Sequence, residues 1–77
     1  MIKAFIVDDE PLAREVVKKH LQKYTDIVLV GEANDGFEAL KLIPEAKPDL
    51  LFLDIQMPKI NGFELLELLS EAPSVIF

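Results

Sequence analysis

The sequence predicts an α/β domain: a parallel sheet covered by helices, with elements in the order β-α-β-α-β-α-β. Three observations carry that reading. First, Leu50-Leu51-Phe52-Leu53 is a run of four large apolar residues that stops at Asp54 and is fenced by Pro48-Asp49 before it and by Pro58 and Asn61-Gly62 after it. So short and continuous a run reads as a strand buried on both faces, which belongs in the middle of a parallel sheet. Second, Ile2-Lys3-Ala4-Phe5-Ile6-Val7 ends the same way, in Asp8-Asp9-Glu10-Pro11. Third, the segments between strands space their apolar residues at helical intervals, so the crossovers are helical, right-handed and join parallel strands.

After the first strand, Glu10-Pro11 opens a helix, because Pro is tolerated in the first turn and acidic residues are favoured there. Leu12, Ala13, Val16, Val17, Leu21 and Tyr24 form its apolar stripe, while Lys18, Lys19 and Lys23 gather where they complement the helix dipole. His20 flanks the stripe with no partner motif and is given no role. Ile27-Val28-Leu29-Val30-Gly31 is a second strand and Asn34-Asp35-Gly36 a turn. Asp35 and Glu38 have the spacing of a capping box for a second helix with Phe37, Leu40 and Ile43 on its apolar face. Pro44 should end or kink that helix.

Asp49 opens the central strand. It lies roughly 16 Å from Asp54 along an extended chain and so cannot share a site with it. Asn61 caps a third helix in which Phe63, Leu66 and Leu69 align, Leu65 and Leu68 broaden the face, and Glu64, Glu67 and Glu71 meet water. Pro73 ends that helix, and Val75-Ile76-Phe77 begins a fourth strand.

Seventy-seven residues allow one small domain, burying only about 60–65% of its unfolded surface. A hydrophobic fraction of 51% excludes disorder. Carboxylates outnumber basic residues 14 to 8, which argues against nucleic acid as a direct partner of this segment. The absence of cysteine excludes a disulfide framework, a zinc finger and a thiol nucleophile. No signal peptide or membrane-length apolar run is present, so a cytoplasmic domain without membrane contact is expected.

If the first and third strands are parallel neighbours, Asp8, Asp9 and Asp54 converge at their carboxyl ends, where open α/β sheets keep their binding crevice. Converging carboxylates repel one another unless a cation intervenes. A hard divalent ion such as Mg²⁺ suits such a site, since it takes oxygen ligands and needs only one or two protein carboxylates. Such an ion also neutralises phosphoryl charge, and a carboxylate beside it can become an aspartyl phosphate. A single strand-end aspartate would be read as merely solvated. Two strands ending alike in one parallel pattern point to a site.

Ile6-Val7-Asp8-Asp9-Glu10-Pro11, Asn34-Asp35-Gly36-Phe37-Glu38-Ala39-Leu40 and Pro48 through Pro58 together resemble the receiver domain of bacterial two-component response regulators. The resemblance runs along the whole chain, with three separated motifs in order. It implies a flavodoxin-like (CheY-like) doubly wound sheet of strand order 2-1-3-4-5. It further implies that Asp54 is the phosphoacceptor and Asp9 a direct Mg²⁺ ligand. Asp8 would help to hold the ion, and the backbone carbonyl of Gln56 would complete the protein ligands. The implied partner is a sensor histidine kinase. The implied role is a phosphorelay switch rather than a turnover enzyme, acting in transcription regulation through an output domain that would make any DNA contact. Asp8-Asp9-Glu10-Pro11-Leu12-Ala13-Arg14 and Ile55-Gln56-Met57-Pro58 most resemble receivers attached to LytTR-type DNA-binding domains.

Receivers of that family continue with a fourth helix, a fifth strand and a fifth helix. They also carry a Thr or Ser after the fourth strand and a Lys ending the fifth. Residues 1–77 are therefore expected to be a receiver domain truncated after the fourth strand, without those switch residues. Its fourth strand would be an open apolar edge through which a homodimer can form. Two other functions compete. A haloacid-dehalogenase-like phosphohydrolase would place a second Asp where this chain has Gln56. A non-phosphorylated interaction module would have a degenerate acidic site, whereas Asp8, Asp9 and Asp54 are all intact.

Overall fold

The computed structural model describes residues 1–55, 57, 60–69 and 73–77. Its elements are β1 (Ile2–Val7), α1 (Pro11–Leu21), β2 (Ile27–Ala33), α2 (Gly36–Ala46), β3 (Leu50–Leu53), α3 (Gly62–Leu68) and β4 (Ser74–Ile76). The strands form one parallel sheet in the order β2-β1-β3-β4, as the resemblance implied for the part of the order present here. The chain steps from β1 outward to β2, then crosses back over β1 to β3. That reversal puts a crevice at the carboxyl ends of β1 and β3.

Alternation along β1 builds two cores. Phe5 and Val7 join Leu51 and Leu53 of β3, Ala39 and Ile43 of α2 and Leu65 of α3 on one face. Ala4 and Ile6 meet Leu21 and Val17 of α1 on the other. The sheet is thus wound on both faces, and the central strands are apolar on both sides for the reason their sequence suggested.

The helices use narrower faces than their apolar composition predicts. In α1 only Leu21 is buried, with Val17 packed beside it, while Leu12 and Val16 are 80% and 54% exposed. In α3 the fully buried side chain is Leu65, with Leu66 and Leu69 packed against the same core, while Phe63 and Leu68 lie in solvent, so of the aligned trio Phe63, Leu66 and Leu69 only Phe63 leaves the buried face. Leu65 fits the pocket between β3 and α2, whereas Phe63 instead meets the ring of Phe77 at 5.4 Å. Full burial of a leucine contributes ~1.5–3 kcal/mol, so Leu65 is the main apolar anchor of this seven-residue helix, with Leu66 and Leu69 beside it. Glu64 and Glu67 are exposed as expected, and Glu71 falls outside the described residues.

Pro44 does not end α2, which runs through it to Ala46. It sits in the last turn with its side chain exposed, where a missing N–H forfeits only one backbone bond. The stop comes from Lys47, whose φ of 48° lies in the left-handed region. At the other end Asp35 caps the helix, accepting from the Glu38 amide at 2.8 Å. The Glu38 carboxylate returns to the Asn34 amide rather than that of Asp35, so the box closes one residue early. In α3 the box is complete, with Asn61 and Glu64 each bonding the other's backbone.

β2 extends two residues past Gly31 to Ala33, and its register against β1 skips Val30. Gly31 lies opposite Phe5, and a Cβ there would come within 2.6 Å of the Phe5 ring. The skip reverses the alternation beyond it, which has consequences for Glu32.

Candidate functional site

Backbone pairing sets the site. Val7 is in register with Leu53, and the Asp54 amide continues the ladder to the Val7 carbonyl at 3.0 Å. On the other side the Asp8 amide donates to the Ala33 carbonyl at 3.1 Å. Three strands therefore end flush, and the side chains that follow β1 and β3 are the carboxylates of Asp8, Asp9 and Asp54. One oxygen each from Asp8, Asp9 and Asp54 lies within 4.8 Å of the other two, so the convergence expected of these residues is present. None of the three is buried.

Local bonds hold these groups. Asp8 Oδ1 accepts from the Glu10 amide at 3.0 Å, the turn that carries the chain from β1 into α1. Glu10 is the N-cap residue of that helix but makes no side-chain cap. Behind Asp54, Gly62 donates to the Ile55 carbonyl at 3.2 Å. A Cβ on Gly62 would lie 2.9 Å from the Asp54 carbonyl oxygen and 2.8 Å from Ile55 Cα, so only glycine lets α3 start this close to the acidic group.

Asp49 lies at the opposite end of β3, where its carboxylate accepts from the Lys3 amide at 2.9 Å and its own amide donates to the Lys3 carbonyl at 2.7 Å. It anchors the start of the strand and is outside the acidic group, as the spacing required. His20 is exposed on α1. Gln56, expected to contribute its backbone carbonyl, lies outside the described residues.

Three converging, solvent-accessible carboxylates are the hard oxygen donors that Mg²⁺ takes, with room for the waters it retains. Beside them an open, mostly apolar cleft of about 340 Å³ runs from Asp8 and Asp54 past Val17 and Phe52 to Ile76 and Phe77.

A second cluster, of alternating charge, lies behind the site. Arg14 Nε donates to Glu32 Oε1 at 3.0 Å, and its Nη1 donates to the Asp8 carbonyl at 2.7 Å. Lys18 Nζ meets Glu32 Oε2 at 2.6 Å and Glu15 Oε1 at 3.0 Å. The Lys18 bond, with help from Arg14, holds the Glu32 carboxyl below its ordinary range, and the same bond with that to Glu15 raises Lys18. Glu32 reaches α1 because the skipped residue in β2 turns it to the side of Ile6, its register partner. The available signal was an acidic residue inside an otherwise apolar strand, facing a helix with Arg14 and Lys18 four residues apart.

Similarity to known proteins agrees with this geometry. The family model for the response regulator receiver domain matches residues 4–77. The transcriptional regulatory protein BtsR of Escherichia coli strain K12 is 47% identical over an alignment covering all of this chain and 33% of its own. The chain thus spans about one third of the curated relatives it matches. Among solved structures, the response regulator domain of Thermotoga maritima CheB superposes with a TM-score of 0.88 at 40% identity, covering 97% of this chain and 57% of that one. The isolated REC domain of RcsB from Salmonella enterica serovar Typhimurium, determined with the phosphomimetic BeF3⁻, gives 0.79 at 26% identity, over 86% of this chain and 50% of that one. The chain belongs to the response regulator receiver domain family of two-component signalling.

Proposed function

We propose that residues 1–77 belong to a single receiver domain that accepts a phosphoryl group on Asp54 from a sensor histidine kinase. The observation that carries this reading is the acidic triad at the carboxyl ends of β1 and β3, with its oxygens within 4.8 Å of one another. An Asp54 carboxylate oxygen forms the new bond to phosphorus as the bond from phosphorus to the donor's imidazole nitrogen breaks, leaving the imidazole to take up a proton. Asp8 and Asp9, with Asp54 and the Gln56 carbonyl, would hold Mg²⁺, which when bound offsets the charge of carboxylates and phosphoryl oxygens alike. The ladder bond to Val7 fixes the backbone of Asp54, and Gly62 lets α3 back it closely.

The product stays on the protein, so the domain is a switch rather than a turnover enzyme. Its effect would pass to an output domain, of LytTR DNA-binding type by the resemblance of the segments around Asp8 and Ile55, in a cytoplasmic regulator. No helix among the described residues is long and apolar enough to cross a membrane. The exposed edge of β4, with Ile76 and Phe77 47% and 63% exposed, is where a second copy would pair in a homodimer.

Titration with Mg²⁺ followed by amide NMR shifts tests the site. Binding should perturb the amides of Asp9 and Asp54 and weaken at least tenfold in Asp9→Asn and Asp54→Asn, but not in Asp49→Asn. Absence of binding, or equal loss in all three variants, would overturn the assignment.

A further inference from the structure

We propose that Arg14 is a positioning residue for the acidic site: it holds the backbone of Asp8 from behind, and Glu32 holds Arg14. The inference rests on the cation-site reading above. Arg14 is the one cation among the described residues whose side chain both bonds the backbone of the acidic segment and bonds a carboxylate on a neighbouring strand. Its side chain is only 14% exposed, unlike an ordinary surface ion pair, whose contribution is small. The planar guanidinium uses two different nitrogens, Nε toward Glu32 and Nη1 toward the Asp8 carbonyl, so the angle between β2 and the β1–α1 turn is set by one rigid group. Lys18 closes the far side by occupying the second oxygen of Glu32.

The Asp8 peptide is thereby held at three points. Its amide bonds Ala33, its carboxylate accepts from Glu10, and its carbonyl accepts from Arg14. Asp9 follows directly on that carbonyl. Releasing the third point frees the peptide that joins the two acidic residues, while the sheet behind it keeps its pairing.

A bare charge effect predicts the opposite sign. A cation near a cation site repels the ion, so removing it should tighten binding. Positioning predicts weaker binding. Arg14→Gln removes charge and fork together, Arg14→Lys keeps the charge but cannot make both bonds, and Lys19→Gln removes a charge from an exposed position of the same helix as a control.

Mg²⁺ titration of the 77-residue chain should show the dissociation constant rising about tenfold in Arg14→Gln, as for other groups that support metal ligands. Arg14→Lys should also bind more weakly, and Lys19→Gln should bind as well as the parent or better. A second arm needs no metal. In ion-free buffer, hydrogen exchange at the Asp8 and Glu10 amides should accelerate in Arg14→Gln and Arg14→Lys, while Phe5 and Leu51 exchange as in the parent. Binding in Arg14→Gln equal to or tighter than the parent would overturn the proposal, as would unchanged exchange at Asp8 and Glu10. Failure of the parent to bind Mg²⁺ would overturn the cation-site reading instead, and the exchange arm would still decide the role of Arg14.

Discussion

Replacing Asp9 by Asn should move stability and Mg²⁺ affinity in opposite directions, which is the mark of a group kept for binding rather than for folding. Asp8 and Asp9 are chain neighbours, so most of their mutual repulsion is present in the unfolded chain and cancels. Folding adds the encounter of Asp9 with Asp54, whose oxygens come within 4.8 Å. Two unit charges about 5 Å apart repel by roughly 0.8 kcal/mol at the dielectric of water, and by more where protein displaces solvent. Asp9→Asn should therefore stabilise the metal-free chain by about 1 kcal/mol at low salt, less as salt screens the pair. Asp9 is the clean position. Asp8 would lose the bond to the Glu10 amide, and Asp54 has a further interaction within the chain.

Mg²⁺ at about a hundred times the parent's dissociation constant adds roughly 2.7 kcal/mol to the parent and, with affinity weakened at least tenfold, at most about 1.4 kcal/mol to the variant. The order of stability should thus invert on adding the ion. Urea unfolding followed by far-UV circular dichroism reads this directly. For a chain this small the metal-free midpoint should rise by up to about 1 M in the variant. A lower midpoint in ion-free, low-salt buffer, or equal Mg²⁺ stabilisation of both proteins, would refute the reasoning.

Two substitutions test the packing that supports the site. Leu65→Ala should cost about 3 kcal/mol, because a fully buried leucine leaves a cavity between α3, β3 and α2, whereas Leu68→Ala, at a 60% exposed position, should change stability by less than about 0.5 kcal/mol. Equal costs in urea unfolding would contradict the observed rotation of α3. Lys47→Gly should stabilise the fold by about 1 kcal/mol, since a residue with a Cβ is strained in the left-handed region, and Lys47 has a φ of 48°. A lower unfolding midpoint would contradict that account of the α2 terminus.

The sheet was legible because its strands announce themselves. Leu50 to Leu53 and Ala4 to Val7 are apolar on both faces and end in acids, and register then brings Asp8, Asp9 and Asp54 together. Asp49 was separable from them by length alone. The helix faces were less legible, because an apolar residue at the right period is a candidate for burial but the neighbouring shape decides. Leu65 and Leu68 are chemically identical, and only the pocket between β3 and α2 distinguishes them.

The Arg14–Glu32 support was hidden for a different reason. A strict period of two from Leu29 puts Glu32 on the face opposite Leu29, toward α2. The register skip at Val30 returns it to the face of Leu29 and Ile6, beneath α1. A one-residue irregularity in pairing is not written in side-chain polarity. Pro44 misled because its rule applies to a helix interior, and the residue stands in a last turn closed by Lys47.

Mapping covalent modification decides whether Asp54 receives the phosphoryl group. The chain is incubated with Mg²⁺ and a small acyl phosphate donor, then reduced with borohydride, which converts an aspartyl phosphate to homoserine, and the peptides are weighed. Homoserine should form at position 54 alone, dependent on Mg²⁺ and absent from Asp54→Asn, however slowly it accumulates. Modification at Asp8, Asp9 or Asp49, labelling that survives Asp54→Asn, or no labelling with Mg²⁺ present would contradict it.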